Sequence, residues 1–463
     1  MLKSKRSSRK AMLGGGLLAL CAGLTLAGCT SPAIVAEPEL KTSHSSTESQ
    51  TETAGYKADL QELAERIKSE HPRPFRYISE PDFDRLVASS VESMGPESSR
   101  ADALWAASEI LASIQCGHTG MSYFNQENAL IEVEDRFPVD VRFVGEQLFV
   151  LDPLANSDRL EKGDEIASIN GQSIDDLRTI ILPHISAEGV AETFKDYAFN
   201  YYATAYLTYA LGFPDAYQLT LVGQTAPTEL KPLTDFSSKP VINPAALCQE
   251  GLCYREDLET GAGIMTIRSF AYYGDQGQVF ADFVGSALAD VVEKDRPALI
   301  IDIRGNHGGS GLAVAYVLRR LAEDPFVYWS DQADKRGVLE LFDTQRPVDV
   351  GLDAPVFLLV DGNTVSTAPH FAALFKEHGM GTIVGEAMGG NASTNDGAQN
   401  FSSTVHGIEY SIARMRFDVA APSLSLDEAV QPDIPLSYTV DDVLYGEDSM
   451  MEFVSNMIEA EHN

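Results

Sequence analysis

The second half of the chain alternates short apolar runs with amphipathic stretches. The apolar runs are residues 264–267, 298–303, 355–360 and 382–386. Their length and composition predict buried strands, and apolar positions recurring from Val279 to Val291 predict a helix between the first two. A second amphipathic stretch, from Ala368 to about Glu377, follows the third run. Buried parallel strands covered by helices are the simplest architecture for this alternation, so we predict an α/β fold.

The first folded region is predicted to be helical. Leu60, Leu63 and Ile67 keep the spacing of one helix face. Two further groups with the same spacing are Phe83, Leu86, Val87 and Val91, then Leu104, Ala107, Leu111 and Ile114. The third helix is predicted to end at Gly117, which places His118 at a helix C-terminus. There the helix dipole favours an imidazolium, which suits a base that becomes positive during a reaction, although a simple cap also explains the residue.

The middle region begins with two predicted strands, residues 137–144 and 147–151. Residues 160–171 then resemble the loop-and-hairpin stretch of PDZ domains. In PDZ domains an edge strand and a neighbouring helix clamp an extended peptide. Residues 194–217 are dense in Tyr and Phe, and two interpretations stay open: packing in a small core, or a wall that faces substrate.

Ser366 follows the apolar run 355–360 after a short turn, and the helix predicted from Ala368 comes next. A serine at this junction has its hydroxyl beside a helix N-terminus, where backbone N–H groups are free to hold a developing oxyanion. The simpler interpretation is that Ser366 only caps the helix.

A glycine-rich loop of the same kind, residues 304–311, follows the apolar run 298–303 and precedes another helix. Glycines let the backbone approach a ligand closely. One loop thus offers a nucleophile and the other offers backbone amides. Acyl transfer is therefore the chemistry that the two loops predict together.

The N-terminus predicts export and a lipid anchor. Five Lys and Arg precede an apolar stretch, residues 11–26, that is too short for a stable membrane span. Residues 26–29 resemble the bacterial lipobox, which implies a signal peptide over residues 1–28 and lipid on Cys29; an ordinary secretory signal is the alternative. We therefore predict an extracytoplasmic lipoprotein, on the outer membrane in a Gram-negative cell. Residues 29–55, rich in Ser, Thr, Glu and Pro, are predicted to be a disordered tether.

The charge of the chain excludes some partners. Without the signal peptide the chain carries 29 basic and 68 acidic residues, a formal net charge of −39. Such a surface disfavours nucleic acid and anionic lipid surfaces as partners. It favours solubility and identifies no substrate by itself.

Two cysteines are close enough in sequence to pair. Cys248 and Cys253 could close a small hairpin disulfide in an oxidising compartment. Their spacing is also loosely metal-like, but no second Cys or His pair lies nearby, so we predict no metal and no cofactor. Cys116 is predicted to be a buried free thiol.

The order of the motifs resembles that of the serine peptidases that include the C-terminal processing (tail-specific) proteases and the tricorn core. The motifs are residues 114–119, 160–171, 302–309, the Ser366 turn, 384–390 and 430–434. The resemblance implies a helical N-terminal domain over residues 56–125 and a PDZ-like domain over residues 126–240. It further implies a crotonase-like catalytic core over residues 241–445, and residues 446–463 remain as a C-terminal tail.

The same resemblance implies the nucleophile and the oxyanion hole. Ser366 would attack the substrate, and the amides of Thr367 and of Gly308 or Gly309 would hold the oxyanion. Processing proteases use a lysine further along the chain as base, but this chain has no lysine after Lys376.

Tricorn-like members use a histidine as base instead, and His118 matches that histidine. The glutamate that orients it matches Glu428, with Asp427 as the alternative. Two weaker candidates are His370, whose place one helical turn beyond the serine a surface helix also explains, and Cys116 as a thiol partner of His118.

We therefore predict a lipid-anchored extracytoplasmic serine peptidase that acts on peptides or proteins. It would be an endopeptidase or a carboxy-terminal processing peptidase, with an acyl-enzyme on Ser366 and His118 as general base. The alternative is a non-catalytic lipoprotein of the same fold that holds peptides in the PDZ-like groove.

Overall fold

The computed structural model describes residues 46–121, 131–189, 191–235, 248 and 250–462. The predicted signal peptide, the predicted lipidation site Cys29 and the first part of the predicted tether lie outside the described residues. Within the described part, no helix is both long enough and apolar enough to cross a membrane.

Helices precede the first strand, and runs of strands are interspersed with helices afterwards. The helices are α1 (Ser46–Glu70), α2 (Glu80–Ser93), α3 (Arg100–Ser113), α4 (Ile174–Ile181), α5 (Glu192–Ala210), α6 (Gln276–Glu293), α7 (Gly311–Leu321), α8 (Thr367–Glu377), α9 (Val440–Tyr445) and α10 (Ser449–His462). The strands are β1 (Gly120–Met121), β2 (Asp140–Val144), β3 (Gln147–Asp152), β4 (Glu165–Ile169), β5 (Gln172–Ser173), β6 (Gln218–Leu221), β7 (Thr228–Glu229), β8 (Leu252–Glu256), β9 (Gly263–Ile267), β10 (Leu299–Asp302), β11 (Phe326–Val327), β12 (Thr344–Gln345), β13 (Val356–Val360), β14 (Thr382–Gly385), β15 (Ser393–Asp396), β16 (Gln399–Ser402), β17 (Glu409–Ile412), β18 (Met415–Asp418) and β19 (Ile434–Pro435).

The central sheet has six strands in the order β19-β14-β13-β10-β9-β8. The strands are parallel from β19 to β9, and β8 pairs antiparallel at the edge. Ile301 and Leu358 pack into a core with α6, α7 and α8, whereas Ile300 and Phe357 pack on the opposite face against α10. Because both faces are covered, β10 and β13 are buried at every position and are almost entirely apolar. This confirms the predicted α/β arrangement of buried parallel strands.

The sheet brings two loops together. β10 and β13 are hydrogen-bonded neighbours, with Ile300 opposite Phe357. The loops that follow these parallel strands, residues 303–310 and 361–366, therefore leave the same edge of the sheet. There the Val365 N–H donates a hydrogen bond to the Asn306 carbonyl oxygen of the first loop at 3.0 Å. This edge, at the carboxyl ends of the strands, is where open α/β sheets bind ligands.

A second sheet is antiparallel and has the order β2-β3-β4-β6-β7, with β5 paired to β4. Helix α5 packs on β2 and on α4. Phe199 and Tyr206 of α5 are buried in the core of this sheet, together with Tyr217. The Tyr- and Phe-rich segment had two interpretations, and for these three residues the structure supports packing into a core.

The N-terminal helices α1, α2 and α3 pack together and against β17. Helix α1 begins at Ser46, so the predicted disordered tether is wrong over residues 46–55. Thr53 Oγ1 donates to the Gly95 carbonyl oxygen at 2.8 Å, and the buried ring of Tyr56 stacks on His406. These contacts are distant in sequence, which is why local composition did not predict the start of the helix.

The predicted C-terminal tail, residues 446–463, is helical over most of its length as α10. Met451, Val454 and Ile458 are buried against one face of the central sheet. The prediction of a tail is wrong because these apolar residues cover that face of the sheet.

The cysteines form the predicted pair. Cys248 is joined by a disulfide to Cys253, which lies in β8. Cys116 is free and buried.

Candidate active site

Ser366 stands at the N-cap position of α8 but does not cap the helix. Its side chain makes no hydrogen bond to the helix N-terminus, and its Oγ lies 3.1 Å from Nε2 of His118. Its backbone has φ 62° and ψ −119°, a conformation that residues other than glycine rarely adopt. The turn therefore presents the hydroxyl to an imidazole, and capping does not explain this serine.

His118 reaches the serine from a turn after α3. The helix ends at Ser113, and Gln115 has φ 50°, so the predicted helix C-terminus at Gly117 is wrong. The dipole argument for His118 fails with it, because the field of a helix fades within its last turn. The turn is held instead by Thr119, whose Oγ1 accepts a hydrogen bond from the Ala413 N–H at 2.9 Å.

A buried carboxyl group that sequence reasoning missed supports this turn. Glu188 Oε2 accepts a hydrogen bond from the Gly117 N–H at 3.1 Å. The Gly189 N–H donates to the Gln115 carbonyl oxygen of the same turn at 3.0 Å. Oε1 of Glu188 is buried, with the Arg76 guanidinium 3.9 Å away. Burial raises the pKa of Glu188 from its ordinary 4.5 to about 8. Glu188 thus holds the residue that precedes His118.

We expect Glu188→Ala to lower kcat/KM by roughly 10-fold to 100-fold, because small displacements of a catalytic group cost that much. Glu188→Gln should keep most of the activity, since its amide oxygen can still accept the bond from the Gly117 N–H. Steady-state kinetics of both variants make the test. If Glu188→Gln is as impaired as Glu188→Ala, the hydrogen-bond account of Glu188 is wrong.

The difference in stability between wild type and Glu188→Gln should depend on pH. When folding raises the pKa of a carboxyl group, the free energy of unfolding falls as the pH rises. The reason is that this group loses its proton at a lower pH in the unfolded chain than in the folded protein. Wild-type protein should therefore lose free energy of unfolding relative to Glu188→Gln from about pH 4.5 to about pH 8. Thermal unfolding of the two proteins across this range measures the difference, and parallel curves would contradict the assignment.

The acidic residues predicted to orient His118 do not reach it. Glu428 is exposed, and Asp427 pairs with Nε of Arg76 at 2.7 Å. Asp396 Oδ2 lies 3.8 Å from Nε2 of His118, the nitrogen that faces the serine. Nδ1 of His118 is buried and has no hydrogen-bond partner among the described residues. The physical reason is Arg76, which holds the segment that carries both predicted acids.

Two backbone amides beside the serine are free to hold an oxyanion. The Gly308 N–H is already engaged, since it donates to Asn306 Oδ1 at 2.8 Å. The N–H groups of Gly309 and Thr367 donate no hydrogen bond within the described residues. Thr367 Oγ1 also donates to the Gly309 carbonyl oxygen at 2.9 Å, which ties the two loops together. Of the two glycines that the sequence left open, the geometry favours Gly309.

Gly308 is needed for the close approach of the loops. A Cβ atom added at this position would lie 2.7 Å from Cβ of Ser366 and 2.9 Å from its Oγ. The backbone of Gly308 also has φ 82°, in the left-handed region. A larger residue there would displace the nucleophile.

Two carboxyl groups, one buried and one partly buried, brace the turn that leads to the serine. Asp361 accepts a hydrogen bond from the Gly305 N–H at 2.9 Å, and burial raises its pKa to about 7. Glu386 accepts bonds from the Gly362 N–H at 3.1 Å and from the Tyr197 hydroxyl at 2.9 Å. Tyr197 belongs to α5, so a helix of the second sheet helps to fix the turn of the central sheet.

The surroundings of His370 and Cys116, the two weaker candidates, do not suit them to a catalytic role. His370 is buried, which contradicts a surface position, and its Nε2 lies 3.1 Å from Thr394 Oγ1. Burial lowers the pKa of His370 to about 3. Burial also raises the pKa of the Cys116 thiol to about 12, which keeps the sulfur protonated and unsuited to a thiolate mechanism.

Comparison with known proteins relates one segment of the chain to a peptidase family. Residues 261–436 match the model of peptidase family S41. No curated protein sequence matches the chain. Mature CPAF has a solved structure with a TM-score of 0.57 and 15% identity, covering 88% of this chain and 96% of that one. For mature CPAF complexed with lactacystin the TM-score is 0.58 at 15% identity, covering 88% of this chain and 98% of that one.

At such identities the structural likeness shows the fold alone. The tricorn protease matches at 13% identity over 89% of this chain and 37% of that one, and its TM-score of 0.38 is too low to carry an argument. The segment that matches the family contains Ser366, Gly309 and Thr367, whereas His118 is supplied from outside it. The match confirms the peptidase family predicted from the order of the motifs. Residues 261–436 therefore carry the sequence pattern of peptidase family S41, a family of serine-type peptidases.

Proposed function

We propose that this protein hydrolyses peptide bonds through an acyl-enzyme on Ser366, with His118 as general base. The observation that carries the proposal is the 3.1 Å contact between Ser366 Oγ and His118 Nε2, beside two free backbone amides. A nucleophile, a base and oxyanion donors within reach of one carbonyl group are the parts that acyl transfer requires.

The first half of the reaction forms the ester. Ser366 Oγ attacks the carbonyl carbon, its proton passes to His118 Nε2, and negative charge develops on the carbonyl oxygen. The N–H groups of Gly309 and Thr367 would stabilise that charge. The C–N bond breaks as His118 gives the proton to the leaving amine. Water, activated by the same imidazole, then hydrolyses the ester and frees the serine.

A tricorn-like base, an imidazole in place of a lysine, fits the surroundings of the serine. No lysine follows Lys376 in the chain. Nζ of Lys376 pairs with Asp433 at 2.7 Å, one helix-length beyond the nucleophile. His118 already contacts the hydroxyl whose proton must be taken.

The domain assignments belong to the same proposal. The parallel central sheet with helices on both faces supports a crotonase-like core. The antiparallel sheet formed by β2, β3, β4, β6 and β7, with helices α4 and α5 beside it, supports a PDZ-like domain.

The alternative, a non-catalytic lipoprotein that captures peptides on the second sheet, has less support. Asn200 of α5 occupies the free edge of β2. The Phe143 N–H donates to Asn200 Oδ1 at 2.6 Å, and Asn200 Nδ2 donates to the Phe143 carbonyl oxygen at 3.0 Å. These are backbone groups that an added peptide strand would need.

Hydrolysis of an unfolded protein tests the proposal. Purified protein is incubated with casein, and new termini are identified by mass spectrometry. Cleavage at internal positions indicates an endopeptidase, and stepwise or single cleavage near the C-terminus indicates a processing peptidase. Ser366→Ala protein purified in parallel controls for contaminating proteases, and identical termini from both preparations would reject the function.

The lipid anchor is a separate proposal and rests on residues outside the described part. If Cys29 carries lipid, the protein should fractionate with membranes, and Cys29→Ser should move most of it to the soluble fraction. Metabolic labelling with a fatty acid analogue gives a second readout. Unchanged membrane association of Cys29→Ser would contradict the anchor and leave the peptidase proposal untouched.

A further inference from the structure

A cavity of 570 Å³ opens beside the nucleophile. Ser366, Thr367 and Gly309 line it, so the nucleophile and both proposed oxyanion donors face this space, whereas His118 is not among the lining residues. During hydrolysis the leaving amine lies towards His118, which protonates it. The cavity is therefore on the acyl side of the scissile bond. That side receives the P1 side chain, which belongs to the residue whose carbonyl group is attacked.

The walls of the cavity are largely aromatic and aliphatic. They include Tyr272, Phe280, Trp329, Leu341 and Phe417. Phe280, Trp329 and Leu341 are buried and belong to the core that covers the central sheet. Side chains that are packed in a core hold their shape, so the cavity is preformed.

The charged groups at the cavity do not favour an anionic P1 side chain. Arg336 lines the cavity, but it is paired with Asp334. Asp396 also lines it and lies 3.8 Å from His118 Nε2, which places this carboxylate beside the base. His370 contributes no charge, because burial holds its pKa near 3. The remaining wall therefore offers apolar contact.

We propose that this cavity is the S1 subsite, which receives the P1 side chain, and that it selects large apolar or aromatic side chains such as Phe, Leu and Met. The inference rests on the proposed function, because it needs Ser366 as the attacking group. A large apolar side chain would bury its surface against the walls, and an Ala side chain would leave most of the cavity unfilled. An Asp side chain would lose its hydration and would face the carboxylate of Asp396 instead of a matched partner.

A peptide series that differs only at P1 tests the proposal. With Phe, Leu or Met at P1, kcat/KM should exceed that for Ala by roughly 10-fold to 100-fold, in line with the selectivity of apolar pockets. With Asp at P1, kcat/KM should fall below that for Ala. The cleaved bond is identified by mass spectrometry for each peptide, so that the P1 position is observed directly.

Two cavity variants narrow the assignment. Ala313→Leu fills part of the cavity from α7 and should lower the kcat/KM ratio of the Phe peptide to the Ala peptide by about 10-fold. Val338→Asp adds a carboxylate at the rim, where 40% of the valine is exposed and folding should tolerate the change, and it should lower the same ratio. Val222→Asp is the matched control. This valine is 55% exposed directly after β6 and is not a lining residue of the cavity, so the ratio for this variant should equal that of wild type.

The outcomes separate the two proposals. Labelling of Ser366 by a fluorophosphonate together with equal kcat/KM for all P1 residues would overturn the subsite and leave the peptidase intact. A ratio that is unchanged in Val338→Asp and Ala313→Leu would also overturn it. Absence of both labelling and hydrolysis would overturn the peptidase, and the subsite with it.

Discussion

Ser366→Ala is expected to lower kcat/KM by roughly 10⁴-fold or more, because removal of the nucleophile of a serine triad leaves only binding and oxyanion stabilisation. The protein should still fold. The serine side chain makes no capping hydrogen bond to α8, so its loss removes no support from the helix. Hydrolysis of a good peptide substrate and thermal unfolding are measured on the same preparation.

Ser366→Gly is the matched variant for this prediction. It removes the same hydroxyl, but glycine adopts φ 62° without the strain that any other residue has there. We expect it to be as inactive as Ser366→Ala and more stable than Ser366→Ala by about 1 kcal/mol. Substantial activity in either variant would show that another group attacks the substrate. Equal stability of the two would contradict the strain at this turn.

His118→Ala is expected to lower turnover by several orders of magnitude, approaching the effect of Ser366→Ala. The imidazole both accepts the proton of the serine and returns it to the leaving amine. Wild-type turnover should also fall on acidification, because only a neutral imidazole can accept a proton. kcat and KM are measured separately, since loss of a base should lower kcat more than it changes KM.

Lys376→Met is the control for the identity of the base. Lys376 is partly exposed and pairs with Asp433, and an exposed ion pair contributes little to stability. Its turnover should match that of wild type. Near-normal turnover in His118→Ala, or a large loss in Lys376→Met, would mean that an imidazole at position 118 is not the base.

The central sheet could be predicted because its signal is local. Residues 299–301 and 356–360 are apolar at every position, and this happens when both faces of a strand are buried. Since loops after neighbouring parallel strands leave the same edge, the meeting of the glycine-rich loop with the Ser366 turn could also be anticipated. The resemblance to a peptidase family then added His118, which is far from Ser366 in sequence.

The support of the base could not be predicted in the same way. Glu188 follows a short helix, where the sequence predicts that a glutamate is a surface residue, and only the tertiary structure buries it. Arg76 decides where Asp427 points, and it comes from the opposite end of the chain. The resemblance therefore indicated an acid at position 427 or 428, whereas the carboxyl group that contacts the His118 turn is at 188.

The edge of the second sheet is a similar case. Residues 160–171 resemble the PDZ motif, which suggested an open peptide groove. Asn200 lies in a segment that stands out for its aromatic residues, and its amide matches the backbone of Phe143 only after α5 has folded onto β2. A motif predicts which strands form, but it does not show what covers their edge.

The rate at which a fluorophosphonate labels Ser366, followed against pH in wild type and His118→Ala, tests the central claim most directly. The labelled residue is located by peptide mass spectrometry. The account predicts a single label on Ser366, a rate that falls as the pH is lowered, and a rate in His118→Ala that is smaller by several orders of magnitude. A label on another residue, or equal rates in the two proteins, would contradict a serine nucleophile activated by His118.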